Sequence, residues 1–154
     1  MNRDIAYTIV TEFVKNEGLV KHMLLVKAAM RDYAVKYGED PEAWALPGLL
    51  HDFDWEIHPT LEQHPQAGAS ILRERGVREE VIRCIQSHAP HTGVPREKLM
   101  DKTLFAVDEF TGLITACALV RPSRSLMDLT AKSVNTDWCK STKRDYPLSL
   151  AAAQ

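Results

Sequence analysis

The stretch GLLHDFD at residues 48–54 is an apolar run that ends in two adjacent side chains with metal-ligand chemistry, His51 and Asp52. A helix that only fills a core does not normally end in this way, because a buried imidazole or carboxylate is costly unless it is hydrogen-bonded, paired or bound to a metal. Adjacent residues diverge by roughly 100° around a helix, so both side chains can reach one ion only where the helix ends or distorts. The stretch therefore indicates a metal site at such a point.

Four further His and Asp side chains share apolar helical faces on either side of this stretch. His22 lies three residues after Leu19 and four before Val26, a spacing that places all three on one face of a helix. One inward-facing histidine is usually a hydrogen-bonded core residue, whereas several along one chain predict a metal site inside a helical bundle. The other three positions are His64 with Ala67, Gly68 and Ile71, His88 with Val81 and Ile85, and Asp108 with Leu104, Phe105 and Gly112.

Helical patterns extend over most of the chain, so the predicted fold is all-α, a compact multi-helix bundle with the metal site in its interior. Gly38 is a typical helix end, and Asp40-Pro41 has the cap-then-proline order of the next helix start. Pro47 either opens a fresh turn or kinks the helix before His51, and both remain open. The predicted helices are Asp4–Lys15, Leu19–Tyr37, Pro41–Asp52, Pro65–Arg75, Arg78–Ser87, Glu97–Val120 and Ser125–Val134.

Length and composition predict one domain over residues 1–134, followed by a divergent or poorly ordered tail over 135–154. The chain of 154 residues is 45% apolar and 26% charged, which is ordinary for a globular protein. A net charge of −2 gives no reason to expect a nucleic-acid polymer as partner. The absence of an export signal or membrane-length apolar run, together with three scattered cysteines, leads us to expect a cytoplasmic protein with no membrane partner.

The ordered set of ligand-type residues resembles the HD superfamily of metal-dependent phosphohydrolases. The resemblance rests on LLHDFD, on the upstream histidine of KHMLLVKAAM and on the downstream aspartate of LFAVDEFTG, and it covers about residues 15–135. The segment HPQAGASILRERGVREEVIRCIQSHA resembles the subgroup with two extra histidines, close to HDIG-type domains. This resemblance implies two metal positions that share one carboxylate. The implied ligands are His22, His51, Asp52 and Asp108 for one metal, and Asp52, His64 and His88 for the second.

Imidazole and carboxylate ligands without thiolate suit one or two borderline divalent ions, such as Mn, Fe, Co, Ni or Zn. Two such ions can share a carboxylate and activate a water for attack on phosphorus. The predicted catalytic residues are the bridging Asp52 together with Asp54 and His91, which could handle protons near the pair. The predicted substrate-binding residues are Arg121 and Arg124, although arginines there could equally neutralise the end of the longest helix.

The predicted function is hydrolysis of a small phosphate ester, a nucleotide or dinucleotide, by metal-activated water. One alternative is a ligand-sensing or interaction domain without catalysis, which a lost ligand would mark, whereas the whole set is present here. A second alternative is a di-iron oxygenase in the same kind of helical shell, which the ligands by themselves do not exclude. Metal analysis combined with a phosphatase screen would separate the three.

Overall fold

The computed structural model describes residues 3–135, with side chains from Ile5 onward. Every regular element in that part of the chain is helical, which confirms the all-α prediction. Within the same residues, no helix is both long enough and apolar enough to cross a membrane. The helices are α1 Arg3–Phe13, α2 Glu17–Tyr37, α3 Pro41–Leu50, α4 Gly68–Glu74, α5 Glu79–His88 and α6 Leu99–Leu119, with 3-10 helices at Pro90–Thr92 and Leu126–Asp128.

The junction between α1 and α2 differs from the prediction, whereas the end of α2 agrees with it. The predicted helix Asp4–Lys15 ends at Phe13 instead, and Asn16 is the N-cap of α2. Its side chain accepts hydrogen bonds from the backbone N–H groups of Gly18 and Leu19, at 2.8 and 3.2 Å, which satisfies donors that a helix start leaves unpaired. At the other end Gly38 takes the left-handed conformation, φ 73°, of the predicted C-cap.

Helix α3 carries the GLL segment and continues through Pro47 to Leu50, so no fresh turn begins at the proline. Gly48 lies against α2 so closely that a Cβ atom built on it would stand 2.9 Å from the Lys27 Cα atom. Only glycine fits such an approach of two backbones. The close contact between α2 and α3 at Gly48 therefore fixes the position of the last turn of α3. It thereby also fixes the position of His51, which follows that turn.

Two buried apolar clusters join the helices. The first connects α1, α3, α4 and α5 around Phe53, which is fully buried and meets Phe13 edge to face. The second connects α2, α5 and α6 through Met30, Cys84 and Leu104, among others. The predicted helix Pro41–Asp52 ends at Leu50, and Phe53 beyond it fills the core between the helices.

The last predicted helix, Ser125–Val134, was also wrong. A 3-10 helix over residues 126–128 is followed by separate helical residues 131–135. The break arises because the Thr130 Oγ1 atom accepts from the Ser133 backbone N–H at 3.1 Å while the Ser133 Oγ atom accepts from the Thr130 N–H at 3.0 Å. This reciprocal pair starts a new helix.

The chain divides into two compact units at Thr111 and Gly112. The first unit contains α1 to α5, most of α6 and all six predicted metal ligands. The second unit contains the end of α6 and the short elements up to residue 135. The predicted tail lies, apart from Asn135, outside the described residues, and the predicted boundary at residue 134 stays a prediction.

Candidate metal centre

The six predicted metal ligands converge within the first unit although they come from separate segments. They are His22 in α2, His51 and Asp52 after α3, His64 in the turns before α4, His88 at the end of α5 and Asp108 in α6. Their ligand atoms form two groups of three, each with all its atoms within 4.8 Å of one another. The first group is His22, His51 and Asp108, and the second group is Asp52, His64 and His88.

The first group has the spacing of atoms that share one ion. The His22 Nε2 atom lies 3.2 Å from the His51 Nε2 atom and 2.9 Å from the Asp108 Oδ1 atom. The His51 Nε2 atom lies 3.4 Å from the same Asp108 oxygen. Two ligand atoms at bonds of about 2.1 Å and ordinary coordination angles stand roughly 3.0–3.4 Å apart. These three residues therefore fit a single divalent ion.

Asp52, a member of the second group, also lies beside the first group, and its two carboxylate oxygens face different histidines. Its Oδ2 atom is 3.2 Å from His51 Nε2 and 3.7 Å from His22 Nε2. Its Oδ1 atom is 3.3 Å from His64 Nε2 and 3.6 Å from His88 Nε2. A carboxylate that bridges two ions has this arrangement, so the geometry supports the sharing that the resemblance implied.

Two of the imidazoles are oriented by the ends of the helices that precede them. The Nδ1 atom of His51 donates to the Gly48 carbonyl at 3.0 Å, and the Nδ1 atom of His88 donates to the Ile85 carbonyl. Both carbonyls belong to the last turn of a helix, where backbone acceptors lack the usual partner four residues on. Because a carbonyl only accepts, Nδ1 carries the proton in each ring and Nε2 is left to face the centre.

His64 is oriented by a carboxylate instead. Its Nδ1 atom lies 2.8 Å from the Oδ1 atom of Asp54, and the Oδ2 atom of Asp54 accepts from the Gly68 backbone N–H at 3.1 Å. Asp54 is fully buried. The predicted catalytic Asp54 therefore contacts a predicted ligand at the ring nitrogen opposite the one that faces Asp52.

The pKa values of several predicted ligands are strongly shifted. Burial by itself lowers the pKa of His51, but the charge of Asp52 and the hydrogen bond that Asp108 accepts outweigh it and hold the pKa well above 6.5. His64 behaves alike: burial lowers its pKa, and the bonds to Asp52 and Asp54 raise it to about 9. For Asp52 and Asp108 burial raises the pKa, yet the facing histidines lower it well below 3.8. Two negative charges thus face the imidazoles, as a cation site requires.

The remaining predicted site residues are His91, Arg121 and Arg124. The Nε2 atom of His91 donates to the His64 carbonyl at 2.8 Å. The His91 side chain therefore contacts the backbone of one member of the second group. Arg121 and Arg124 lie in the second unit, where the Arg121 Nη1 atom donates to the Asp128 carbonyl at 3.2 Å. Their role in substrate binding stays a prediction.

Two residues at the centre had no clear sequence signal. At Gly68 a Cβ atom would stand 2.6 Å from the Asp54 Oδ2 atom, although the sequence marked it only as a small residue on the His64 face. Arg96 donates from Nη1 to the carbonyl of Ser87, next to His88, and lies over the Phe105 ring at 4.1 Å. Both contacts join residues distant in sequence, which no local pattern reveals.

Comparison with known proteins yields one finding. The family model of the HD domain matches residues 19–112, more than half of the chain, and the matched range contains both groups. No curated protein and no solved structure shows a significant match.

Proposed function

Because the chain belongs to the HD domain family, we propose that it is a metal-dependent phosphohydrolase that acts on a small phosphate ester of the nucleotide or dinucleotide class. The observation that carries the proposal is the position of Asp52, whose two oxygens face two separate sets of ligand atoms. The full set of six residues also favours catalysis over a sensing domain, since a domain without chemistry has no need to keep every ligand.

The donor set fits borderline divalent ions. One position would be held by the first group with Asp52 Oδ2, and the other by the second group through Asp52 Oδ1. Ions bound there neutralise charge on phosphate oxygens and acidify a water for in-line attack. Four imidazoles, two carboxylates and no thiolate suit Mn, Fe, Co, Ni or Zn better than Ca.

The residues of the chain supply charge, orientation and proton handling. Asp52 and Asp108 are ionised at neutral pH because their pKa values are lowered, and both are about one-fifth exposed, so a substrate in solvent can reach them. His91 is our candidate for proton transfer. Its Nε2 atom is engaged with the His64 carbonyl, so in the neutral ring the Nδ1 atom is the one that accepts a proton.

Three arginines are our candidates to bind the phosphate groups of the substrate. Arg121 and Arg124 follow α6, as predicted from the sequence. Arg96, in the first unit, is a separate candidate because it lies at the end of α5, where its Nη1 atom donates to the Ser87 carbonyl. A guanidinium presents five N–H donors and favours phosphate oxygens. A small phosphorylated substrate, and not a nucleic-acid polymer, is the partner we propose.

The test is a metal-dependent phosphatase screen. Protein freed of metal by chelation is reloaded with Mn²⁺, Co²⁺, Ni²⁺ or Zn²⁺ and assayed on nucleotides, dinucleotides and a generic aryl phosphate. We expect activity to vanish on chelation and to return with at least one of these ions. Turnover that survives complete metal removal would overturn the proposal.

A di-iron oxygenase is the second candidate, because the six groups would suit two iron ions equally well. The same preparation tests it. Reloading with Fe²⁺ under anaerobic conditions and then admitting O₂ should cause no substrate-dependent O₂ consumption if the centre is a phosphohydrolase. Substrate-dependent O₂ uptake without phosphate release would favour the oxygenase.

A further inference from the structure

His64, in the second group, is supported differently from His51 and His88. His51 and His88 each donate from Nδ1 to a neutral backbone carbonyl, whereas His64 is paired at Nδ1 with the Asp54 carboxylate. A carboxylate behind an imidazole fixes its tautomer and makes it a more basic ligand than a carbonyl does. Compared with His51 and His88, His64 is therefore the ligand whose metal affinity depends on a side chain and not on the backbone.

Asp54 is itself held rigidly. It is fully buried, its Oδ1 atom faces His64 at 2.8 Å, and its Oδ2 atom accepts from the Gly68 N–H at 3.1 Å. Two attachments, one for each oxygen, fix the plane of the carboxylate. Because a buried carboxylate is costly unless its oxygens are hydrogen-bonded, Asp54 needs both partners, and the one that is a side chain is the His64 ring.

Gly68 makes room for this arrangement. A Cβ atom at residue 68 would lie 2.6 Å from the Oδ2 atom, 2.7 Å from the Cγ atom and 2.9 Å from the Cβ atom of Asp54. Carbon and oxygen atoms do not approach so closely, so a larger residue at 68 would displace the carboxylate. Asp54 and Gly68 thus form one unit with His64.

We infer that Asp54, seated on Gly68, is a positioning residue that sets the metal affinity of the second group selectively, through His64. The inference rests on the metal centre of the proposed function but not on the reaction or the substrate. The inference predicts unequal effects on the affinities of the two ions. Loss of the carboxylate should weaken the ion at Asp52, His64 and His88 and leave the ion at His22, His51 and Asp108 nearly unchanged.

The test compares Asp54→Asn and Gly68→Ala with Gly112→Ala, a control glycine in α6 around which the added Cβ would have nothing within 4 Å. Binding of Co²⁺ to metal-free protein is followed by calorimetry and visible absorption, with the fold checked by circular dichroism. We expect two ions in the unmodified protein and in the control. Both test variants should bind one ion normally and the other about 10–100-fold more weakly, the usual effect of losing such a partner.

Each other outcome is decisive. Equal loss of both ions, or unchanged binding of both, would overturn the inference and leave the proposed function standing. An unmodified protein that binds no divalent ion would overturn both, and one that binds a single ion would remove the second position and the inference with it. If Asp54→Asn does not fold, Gly68→Ala decides; failure of both to fold would assign Asp54 to core stability and reject the positioning role.

Discussion

At the scale of single residues, the centre depends most on Asp52. One oxygen of its carboxylate lies near His51 and the other near His64, so a single carboxylate faces ligand atoms of both groups through separate atoms. Asp54, two residues after Asp52 and beyond the end of α3, has a different role. Its oxygens are both engaged behind His64, which is why two aspartates two positions apart serve such different purposes.

Asp52→Ala should reduce metal-dependent turnover by more than ~100-fold, because even the loss of an outer partner of a ligand costs 10–100-fold and Asp52 contacts both groups directly. The helical content should stay unchanged, since the side chain lies outside the apolar clusters. Steady-state kinetics and circular dichroism measure the two effects. Asp32→Ala, which removes an exposed carboxylate from α2, is the control. Full activity in Asp52→Ala would refute the shared carboxylate.

At the scale of elements, the contact between α2 and α3 positions the centre. Gly48 allows the two backbones to meet, and its carbonyl accepts from the His51 ring three residues later. One residue therefore sets both the distance between the helices and the orientation of a predicted ligand. The continuation of α3 through Pro47 brings His51 and Asp52 to the helix end, where adjacent side chains can diverge less than on a regular helix.

Gly48→Ala should destabilise the protein and also weaken metal binding. Overpacking against Lys27 and Met30 costs about 1–3 kcal/mol, which exceeds the gain of roughly 0.5–1 kcal/mol in helix propensity that alanine brings. Urea unfolding measures the stability, and Co²⁺ titration measures the binding. Gly112→Ala, with open space around the added methyl group, should be neutral or slightly stabilising. Equal effects of the two substitutions would show that close packing at Gly48 is unimportant.

At the scale of the whole molecule, the centre joins parts of the first unit that are far apart in sequence. His22 and Asp108 are 86 positions apart and their ligand atoms are 2.9 Å apart. An ion bound between them would link α2 to α6, and His51 adds the residue that follows α3. His88 brings α5 into the second group. Metal binding should therefore couple directly to folding.

Addition of a tightly bound divalent ion should raise the free energy of unfolding by about 2.7 kcal/mol for each ion at a free concentration 100 times its Kd. Thermal unfolding of metal-free and Mn²⁺-loaded protein measures the shift. Asp52→Ala should show a much smaller shift at the same ion concentration. A melting temperature independent of every borderline divalent ion would contradict a site inside the fold.

The stability of the metal-free protein should fall at alkaline pH. The pKa of His64 is raised from 6.5 to about 9, so its contribution to stability is complete below about pH 6.5 and is lost as the pH rises through about 9. The pKa of His51 is raised as well, so its contribution is also lost on the alkaline side. The pKa values of Asp52 and Asp108 are lowered, so their contribution to stability is present at neutral and alkaline pH. It is lost only as the pH falls below 3.8. Urea unfolding from pH 5 to 9.5 tests this slope. His64→Gln should flatten it, and an equally steep slope in that variant would assign the effect elsewhere.

The sequence by itself determined the all-α class, the positions of most helices and the six ligand-type residues, because these follow from local spacing and from caps such as Gly38. The tertiary structure decided what those residues do together. It placed His22 against Asp108, divided the ligands into two groups on either side of Asp52, and turned Asp54 towards His64. It also buried Phe53 and began a new helix after Thr130. Such relations depend on which helices pack against each other, and contacts between residues far apart in the chain leave no periodic signal within either segment.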